Sequence, residues 1–517
     1  MTDDESLLGA LEKLRSIVGF GNVSTEHADC DLATADIFDW PDRKKAIAVV
    51  CPKDTAEVSA VLGALHAANI AAVPRGAGLS YTGGMAVDRE AVVVDVSRLN
   101  DVTVNHHDCY ATIGAGASWE SVAERTKLHN LRSRQASPIS GVFSTVGGLA
   151  SQGVPAGTRG ILGVTVVLHD GTIVRTGADV RSSGTGPDLT GIFLGDCGAF
   201  GVKTEVVIGL EQIPAATFAT FEFENANDLI ASLNACMRDG VVSRAFALDR
   251  LKSQQAKRVD GSEAISAGLA VLRKSNSPAA ALRSGLDLLK FASSRGQERP
   301  WSLHLTLEAP TLQGAKASLK RVREICQGSG VESPDVFPRT LHAKPYSVRG
   351  MVGPDGERWV PVHGIFRPSA AQTAMLDLQQ HLTTVATTME RLRVSVSWLI
   401  SSSGAYVLIE PMIYWPDSLD PLHIKYLSPK NRERFQAFAP NLEAREFVRA
   451  LRVQLRDLMD AHGASHSQSG RFYALANTLD ENAMRVMEKI KSMLDPADLM
   501  NPGVLGLGPR SAGGAAS

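Results

Sequence analysis

The segment that most constrains this 517-residue chain is Pro74-Arg75-Gly76-Ala77-Gly78-Leu79-Ser80-Tyr81-Thr82-Gly83-Gly84, which follows the apolar run Ile70 to Pro74 directly. A strand that runs into closely spaced glycines can turn successive main-chain N–H groups into one concavity, an anion nest suited to a pyrophosphate. Neither G-x-G-x-x-G nor Gly-Lys-Ser/Thr is completed, so a nicotinamide-type loop and a kinase-type P-loop are both excluded. Taken alone, such a loop reads equally well as a tight surface turn.

Two further segments narrow the choice. Pro138-Ile139-Ser140-Gly141-Val142-Phe143-Ser144-Thr145-Val146-Gly147-Gly148 offers hydroxyls and glycines where a ring and a phosphate could both be approached. Asp188-Leu189-Thr190-Gly191-Ile192-Phe193-Leu194-Gly195-Asp196-Cys197-Gly198-Ala199-Phe200-Gly201 precedes the apolar run Val202 to Leu210. Around these, 45–52 reads as a buried strand with Thr55 capping the next helix, and Ala91–Val96 and Tyr110–Gly114 read as strands. A helix is expected from Trp119 to Leu131, and a hairpin over Gly163–Arg175 through the turn pair Asp170-Gly171.

Beyond Pro214 the texture changes. Phe221–Glu224, Trp301–Glu308, Val394–Ile400 and Tyr406–Ile409 alternate like half-buried antiparallel strands, and helical faces lie between them. Two strand-then-helix units with a helical insertion at about 254–296 suggest a ferredoxin-like sheet with one helix-covered face. The expected organisation is an N-terminal helical segment 1–44, a two-lobed α+β domain 45–213, a cap domain 214–460, a return 461–510 and a disordered tail 511–517.

The formal charge of −2 provides no concentrated basic field for nucleic acid. No apolar run reaches the length of a membrane span, and the acidic N-terminus has no signal-peptide pattern. Six scattered cysteines without a C-x-x-C pair suit reduced thiols, so a cytoplasmic location and no structural metal are expected.

The three ordered segments, with Leu494-Asp495-Pro496 and Asn501-Pro502-Gly503 near the C-terminus, resemble the FAD-binding domain of the vanillyl-alcohol oxidase / para-cresol methylhydroxylase superfamily, across about 45–505. The third segment is also similar to the glycolate-oxidase FAD-subunit branch. The resemblance implies FAD held along the N-terminal domain and a substrate cap domain with a mainly antiparallel sheet. It assigns Arg75, Gly76, Ala77, Gly78, Leu79, Ser80, Tyr81, Gly84, Pro138, Ser144, Thr145, Gly147, Gly148, Ser151, Gly198, Val202 and Asn501 to the cofactor. Where many relatives carry an attaching His or Cys, this chain has Leu79 and Phe143. FAD is therefore expected to be non-covalent, with linkage from a cap-domain His or Tyr left open.

Substrate oxidation needs a C–H bond aimed at the flavin and a group that takes the accompanying proton. The candidates are His363 in a strand-like segment, Glu410 at the end of an apolar strand, and His466, Arg471 and Tyr473 near the C-terminus. In phenol-oxidising relatives an Arg/Tyr pair and a loop Tyr bind a phenolate, which the resemblance transfers to Arg471, Tyr473 and Tyr81. His462 and His466 stand at i, i+4, but no third ligand follows. His423 and Tyr426 are lesser candidates, in a loop.

The leading expectation is an alcohol oxidoreductase passing hydride to flavin N5, with a phenolic or benzylic substrate. The alternative is a D-2-hydroxy-acid dehydrogenase of glycolate or D-lactate type. The sequence motifs complete neither branch. A flavin-binding subunit without turnover is a third reading, opposed by the full length of the cap region. The partners expected are a small-molecule substrate, an acceptor that could be oxygen, quinone or cytochrome, and a second copy of the chain as a homodimer.

Overall fold

A computed structural model describes residues 3–38, 40, 43–87, 89–134, 140–154, 157–177, 186–257, 299–346, 351–402, 406–435 and 437–508. Pro138, most of the expected helical insertion, and the tail 511–517 lie outside the described residues. The chain divides into two compact units, one comprising 1–213, 421–426 and 467–517 and the other 214–420 and 427–466.

The first unit contains two sheets. Strands β1 (Val23–Ser24), β2 (Ala48–Val50), β3 (Ala71–Arg75) and β4 (Ala91–Asp95) form a sheet of order β1-β2-β4-β3, in which β2, β4 and β3 run parallel and β1 antiparallel. Parallel strands are buried on both faces, hence the unbroken apolar runs at 48–50 and 91–94. Helix Thr55–Ala67 packs Val58, Val61, Leu62 and Leu65 onto them. Its cap is Asp54, whose carboxylate accepts from Glu57 N, rather than the expected Thr55, whose hydroxyl pairs with that of Thr204. The N-terminal segment is not separate from this sheet, since β1 forms its edge.

The second sheet is antiparallel. It orders β5 (Val102–Asn105), β6 (Tyr110–Gly114), β10 (Val202–Gln212), β8 (Ile161–Val167) and β9 (Ile173–Thr176), with β7 (Leu131–Ser133) also on β10. The helix expected to reach Leu131 stops at Lys127, and Leu131 opens β7 instead. The C-terminal return closes the first sheet. Ala72 N donates to Leu499 O, and Asn501 N donates to Ala72 O. Buried Lys491 holds the turn by donating to Asp495 and to the carbonyls of Ala199 and Met500.

The second unit is built on an eight-stranded antiparallel sheet of order β14-β11-β13-β12-β17-β18-β15, with β16 also on β18. The strands are β11 (Ala215–Phe223), β12 (Arg244–Asp249), β13 (Trp301–Ala309), β14 (Val331–Ser333), β15 (Arg358–Pro361), β16 (Gly364–Phe366), β17 (Ser395–Ser402) and β18 (Val407–Trp415). One face is apolar and buried, through Phe221, Leu303, Ala247, Ile400 and Ile409, under helices that include Ala226–Arg238 and Leu312–Cys326. Strand β13 was expected to be half-buried, yet His304 and Thr306 on its other face are also buried. Helix Val336–Ala343 lies against that face, and Phe337 meets both His304 and Phe246.

Candidate functional site

In the first unit, strand β3 delivers Arg75 and then the glycine loop. Among the described residues, nothing accepts a hydrogen bond from the amides of Gly76, Ala77, Gly78, Leu79 or Ser80. Unpaired, part-buried amides are rare in folded proteins, and five in a row leave this loop a run of donors for a ligand. Gly78 turns the loop with φ +74, and a Cβ there would collide with the Arg75 guanidinium.

That guanidinium lies behind the loop, only 4% exposed. One nitrogen donates to the carbonyls of Ala33 and Ala35, at 2.6 and 2.9 Å, while Nη2 has no partner. Among the described residues no carboxylate forms an ion pair with it. Burial lowers its pKa, while nearby Tyr426, Asp95 and Asp36 act in the opposite direction. A buried cation without a paired anion, behind five free amides, fits a doubly charged pyrophosphate seated against the loop.

The second loop packs against the first: a Cβ on Gly76 would stand 2.6 Å from Thr145 Oγ1. Thr145 caps helix Val146–Gln152 by accepting from Gly148 N, and Ser144 Oγ pairs with Ser140 Oγ at 2.6 Å. Gly147 N donates to Ala115 O, so this segment is braced from within. Asn501 Nδ2 donates to both Gly84 O and Cys197 O, at 2.8 and 2.7 Å, leaving its buried Oδ1 without a partner. Cys197 N reaches Ser151 O, and Gly198 N reaches Asp196 Oδ1. Gly84, Ser151, Gly198 and Asn501 thus meet where the first and third loops and the C-terminal return converge.

Val202 departs from the expectation. Its side chain is fully buried in the apolar core with Val167 and Leu62, because it opens β10 opposite Val167.

The segments that carry Tyr81, Arg471 and Tyr473 adjoin, since the amides of Arg471 and Phe472 both donate to Thr82 O. Tyr81 and Tyr473 are buried, and Phe472 packs edge-on to Tyr473. Arg471 Nη2 donates to Pro502 O at 2.6 Å, so part of its guanidinium is spent bracing the C-terminal return.

The second unit gathers a different set. On the face of its sheet away from the apolar helices, β18 presents Leu408, Glu410, Met412 and Tyr414 by alternation. Burial pushes the Glu410 carboxyl up to about 7, with Lys252 pulling the other way. Lys252 Nζ donates to Tyr414 Oη at 2.6 Å. The registers Pro361↔Met412 and Gly364↔Ile409 continue each other, placing His363 opposite Glu410. The ladder lapses between them because Pro411, opposite Val362, has no N–H to donate.

His466 does not stand free beside them. Its Nδ1 bonds His363 O at 2.7 Å and its Nε2 bonds Asp460 at 2.6 Å, so it braces the strand that carries His363. His462 pairs with Asp377 instead, and among the described residues no cluster fit to hold a metal occurs. The i, i+4 pair is therefore divided between two carboxylates. Farther along the same face, Phe246, His304 and Phe337 form an aromatic group. Burial drives His304 down to about 3, keeping it neutral between Thr220 and Ser302.

Lys252, Tyr414 and His304 were not anticipated from the sequence. Lys252 lies just past an unforeseen strand, and the alternation at 301–308 gave His304 no distinguishing signal. The loop expected around His423 and Tyr426 contains a short helix, Pro421–Lys425, with His423 fully buried.

Comparison with known proteins matches residues 46–177 to an FAD binding domain and residues 462–505 to the C-terminal domain of FAD linked oxidases. The chain is 28% identical over 49% of its length to the mitochondrial D-lactate dehydrogenase [cytochrome] 1 of Saccharomyces cerevisiae, covering 45% of that protein. It is 28% identical over 35% of its length to a glycolate oxidase subunit of Bacillus subtilis, covering 39% of it. The chain thus spans less than half the length of these relatives. A crystal structure of p-cresol methylhydroxylase with substrate bound superposes with TM-score 0.70 over 97% of both chains at 16% identity, a likeness of fold. No helix among the described residues is long and apolar enough to cross a membrane. The yeast relative is named as a mitochondrial enzyme.

Proposed function

Taking the chain as the FAD-linked oxidoreductase that its two matched domains make it, we propose that it oxidises a D-2-hydroxy acid to the 2-oxo acid. The curated relatives support this choice over a phenolic alcohol, since they are named for D-lactate and glycolate. The observation that carries the proposal is Glu410, a carboxyl pushed up to about 7 on a sheet face that it shares with Lys252 and Tyr414.

Removing hydride from a hydroxyl-bearing carbon requires that the hydroxyl proton leave with it, and a base is most effective when its pKa lies near the working pH. Glu410 meets that condition, with His363 as the neighbouring polar group. The Lys252 ammonium, held by Tyr414, supplies a cation for the substrate carboxylate. In the first unit, the amides of 76–80 and the Arg75 charge would hold the pyrophosphate, with Ser144, Thr145, Gly147, Gly148 and Asn501 nearby. When bound, FAD supplies the two-electron acceptor for the hydride. The first unit is thus read as the cofactor domain and the second as the substrate domain.

A phenolic or benzylic substrate is the second reading, favoured by the main-chain bonds at Thr82 that join the segments of Tyr81 and of Arg471 and Tyr473. Turnover of D-lactate, D-2-hydroxyglutarate, glycolate, L-lactate and a hydroxybenzyl alcohol, followed with an artificial acceptor, decides between them. The proposal expects the D-hydroxy acids to be turned over in preference to L-lactate and the phenol. Turnover of the phenol alone overturns it.

A further inference from the structure

We propose that Tyr426 is a cofactor-positioning residue, which sets the pyrophosphate loop by turning the Ala77–Gly78 peptide. This rests on the reading of 76–80 as a phosphate nest. The chain leaves the second unit after Asp420, contributes 421–426 to the first, and re-enters the second at Leu427. Before the excursion, Asp417 is gripped by Arg445, and Asp420 by Arg358. Within it, Leu422 and His423 are fully buried. The excursion is therefore built in, not a loose surface turn.

At its end, the Tyr426 hydroxyl donates to Ala77 O. Its ring packs on Phe143 of the second loop, centroids 4.8 Å apart, so one side chain touches both glycine segments. Burial pushes the phenol up to about 12, with Arg75 opposing, so it remains a donor at physiological pH.

The consequence follows from peptide geometry. In a trans peptide the C=O and the following N–H point in opposite directions. Holding Ala77 O toward Tyr426 therefore turns Gly78 N–H the other way, among the unpaired amides of the loop. Without that bond, a glycine-flanked peptide can flip and present a carbonyl to the phosphate instead of a donor. Such a flip exchanges attraction for repulsion at an anion, with no effect on a ligand that lacks phosphate.

The test titrates FAD and riboflavin separately into full-length chain produced in riboflavin-starved cells, following flavin fluorescence, for wild type, Tyr426→Phe and Tyr426→Leu. The Phe variant keeps the ring against Phe143 and removes only the hydroxyl. The expected result is FAD binding weakened about tenfold in Tyr426→Phe, with riboflavin binding and the melting temperature of the flavin-free protein unchanged. Tyr426→Leu should lose more. FAD affinity within twofold of wild type in Tyr426→Phe, or an equal loss for FAD and riboflavin, overturns the assignment. Wild type that binds no FAD would instead sink the underlying reading of the loop.

Discussion

His363 stands opposite Glu410 across the antiparallel pair formed by the 358–366 segment and β18. On the far side of β18, Leu399 of β17 faces the same carboxyl. The Glu410 carboxyl holds its proton because burial leaves the charged form poorly solvated, with the Lys252 ammonium opposing.

Replacing Glu410 with Gln keeps the shape and removes the base. The expected outcome is a kcat/KM lower by about 100-fold or more with the flavin spectrum unchanged. In wild type, activity should rise with pH through about 7, because the carboxyl must lose its proton to act as a base. A Glu410→Gln enzyme with a wild-type rate and pH profile removes this residue from the mechanism.

Folding stability should respond in the opposite sense. The Glu410 pKa is raised on folding, so its contribution is complete below about 4.5 and is lost as pH rises toward about 7. His304 acts on the acid side. Its folded value near 3 lies below the ordinary 6.5, so stability falls as pH drops through that window, at ~1.4 kcal/mol per pH unit for one proton. His304→Gln should flatten that acid limb in thermal unfolding, whereas an unchanged slope would locate the acid sensitivity elsewhere.

Gly78→Ala tests the loop directly. With φ +74 and the Arg75 guanidinium in the way, a methyl group forces the loop to move. The variant should purify with little or no FAD while circular dichroism shows its secondary structure retained. Full flavin content in Gly78→Ala would show that the loop does not form the nest.

Leu79 and Phe143 offer no nucleophile, so acid precipitation should release FAD into the supernatant. Colour left in the pellet would mean that another side chain forms a covalent bond.

The sequence revealed the first unit more fully than the second. Glycine spacing and the Asn501-Pro502-Gly503 ending reflect backbone requirements, which are local and leave a mark in the residue pattern. Arg75 was assigned to the cofactor, yet its position behind the loop depends on the carbonyls of Ala33 and Ala35, some 40 positions earlier in the chain. Glu410 stood out because a charge within an apolar strand is costly unless it is used or paired. Lys252 and Tyr414 did not, since their meeting depends on strand order in an eight-stranded sheet, which alternation alone does not encode. The preference for a phenolic substrate rested on Tyr81, Arg471 and Tyr473. Their segments adjoin, but Arg471 spends a donor on Pro502, and the relatives are named for D-lactate and glycolate.

The most direct measurement is anaerobic mixing of the purified yellow protein with a D-2-hydroxy acid, watching the flavin absorption band in a stopped-flow instrument. The account predicts rapid bleaching by the D-enantiomer, slowed about 100-fold or more in Glu410→Gln. Bleaching by a hydroxybenzyl alcohol but by no hydroxy acid would contradict it.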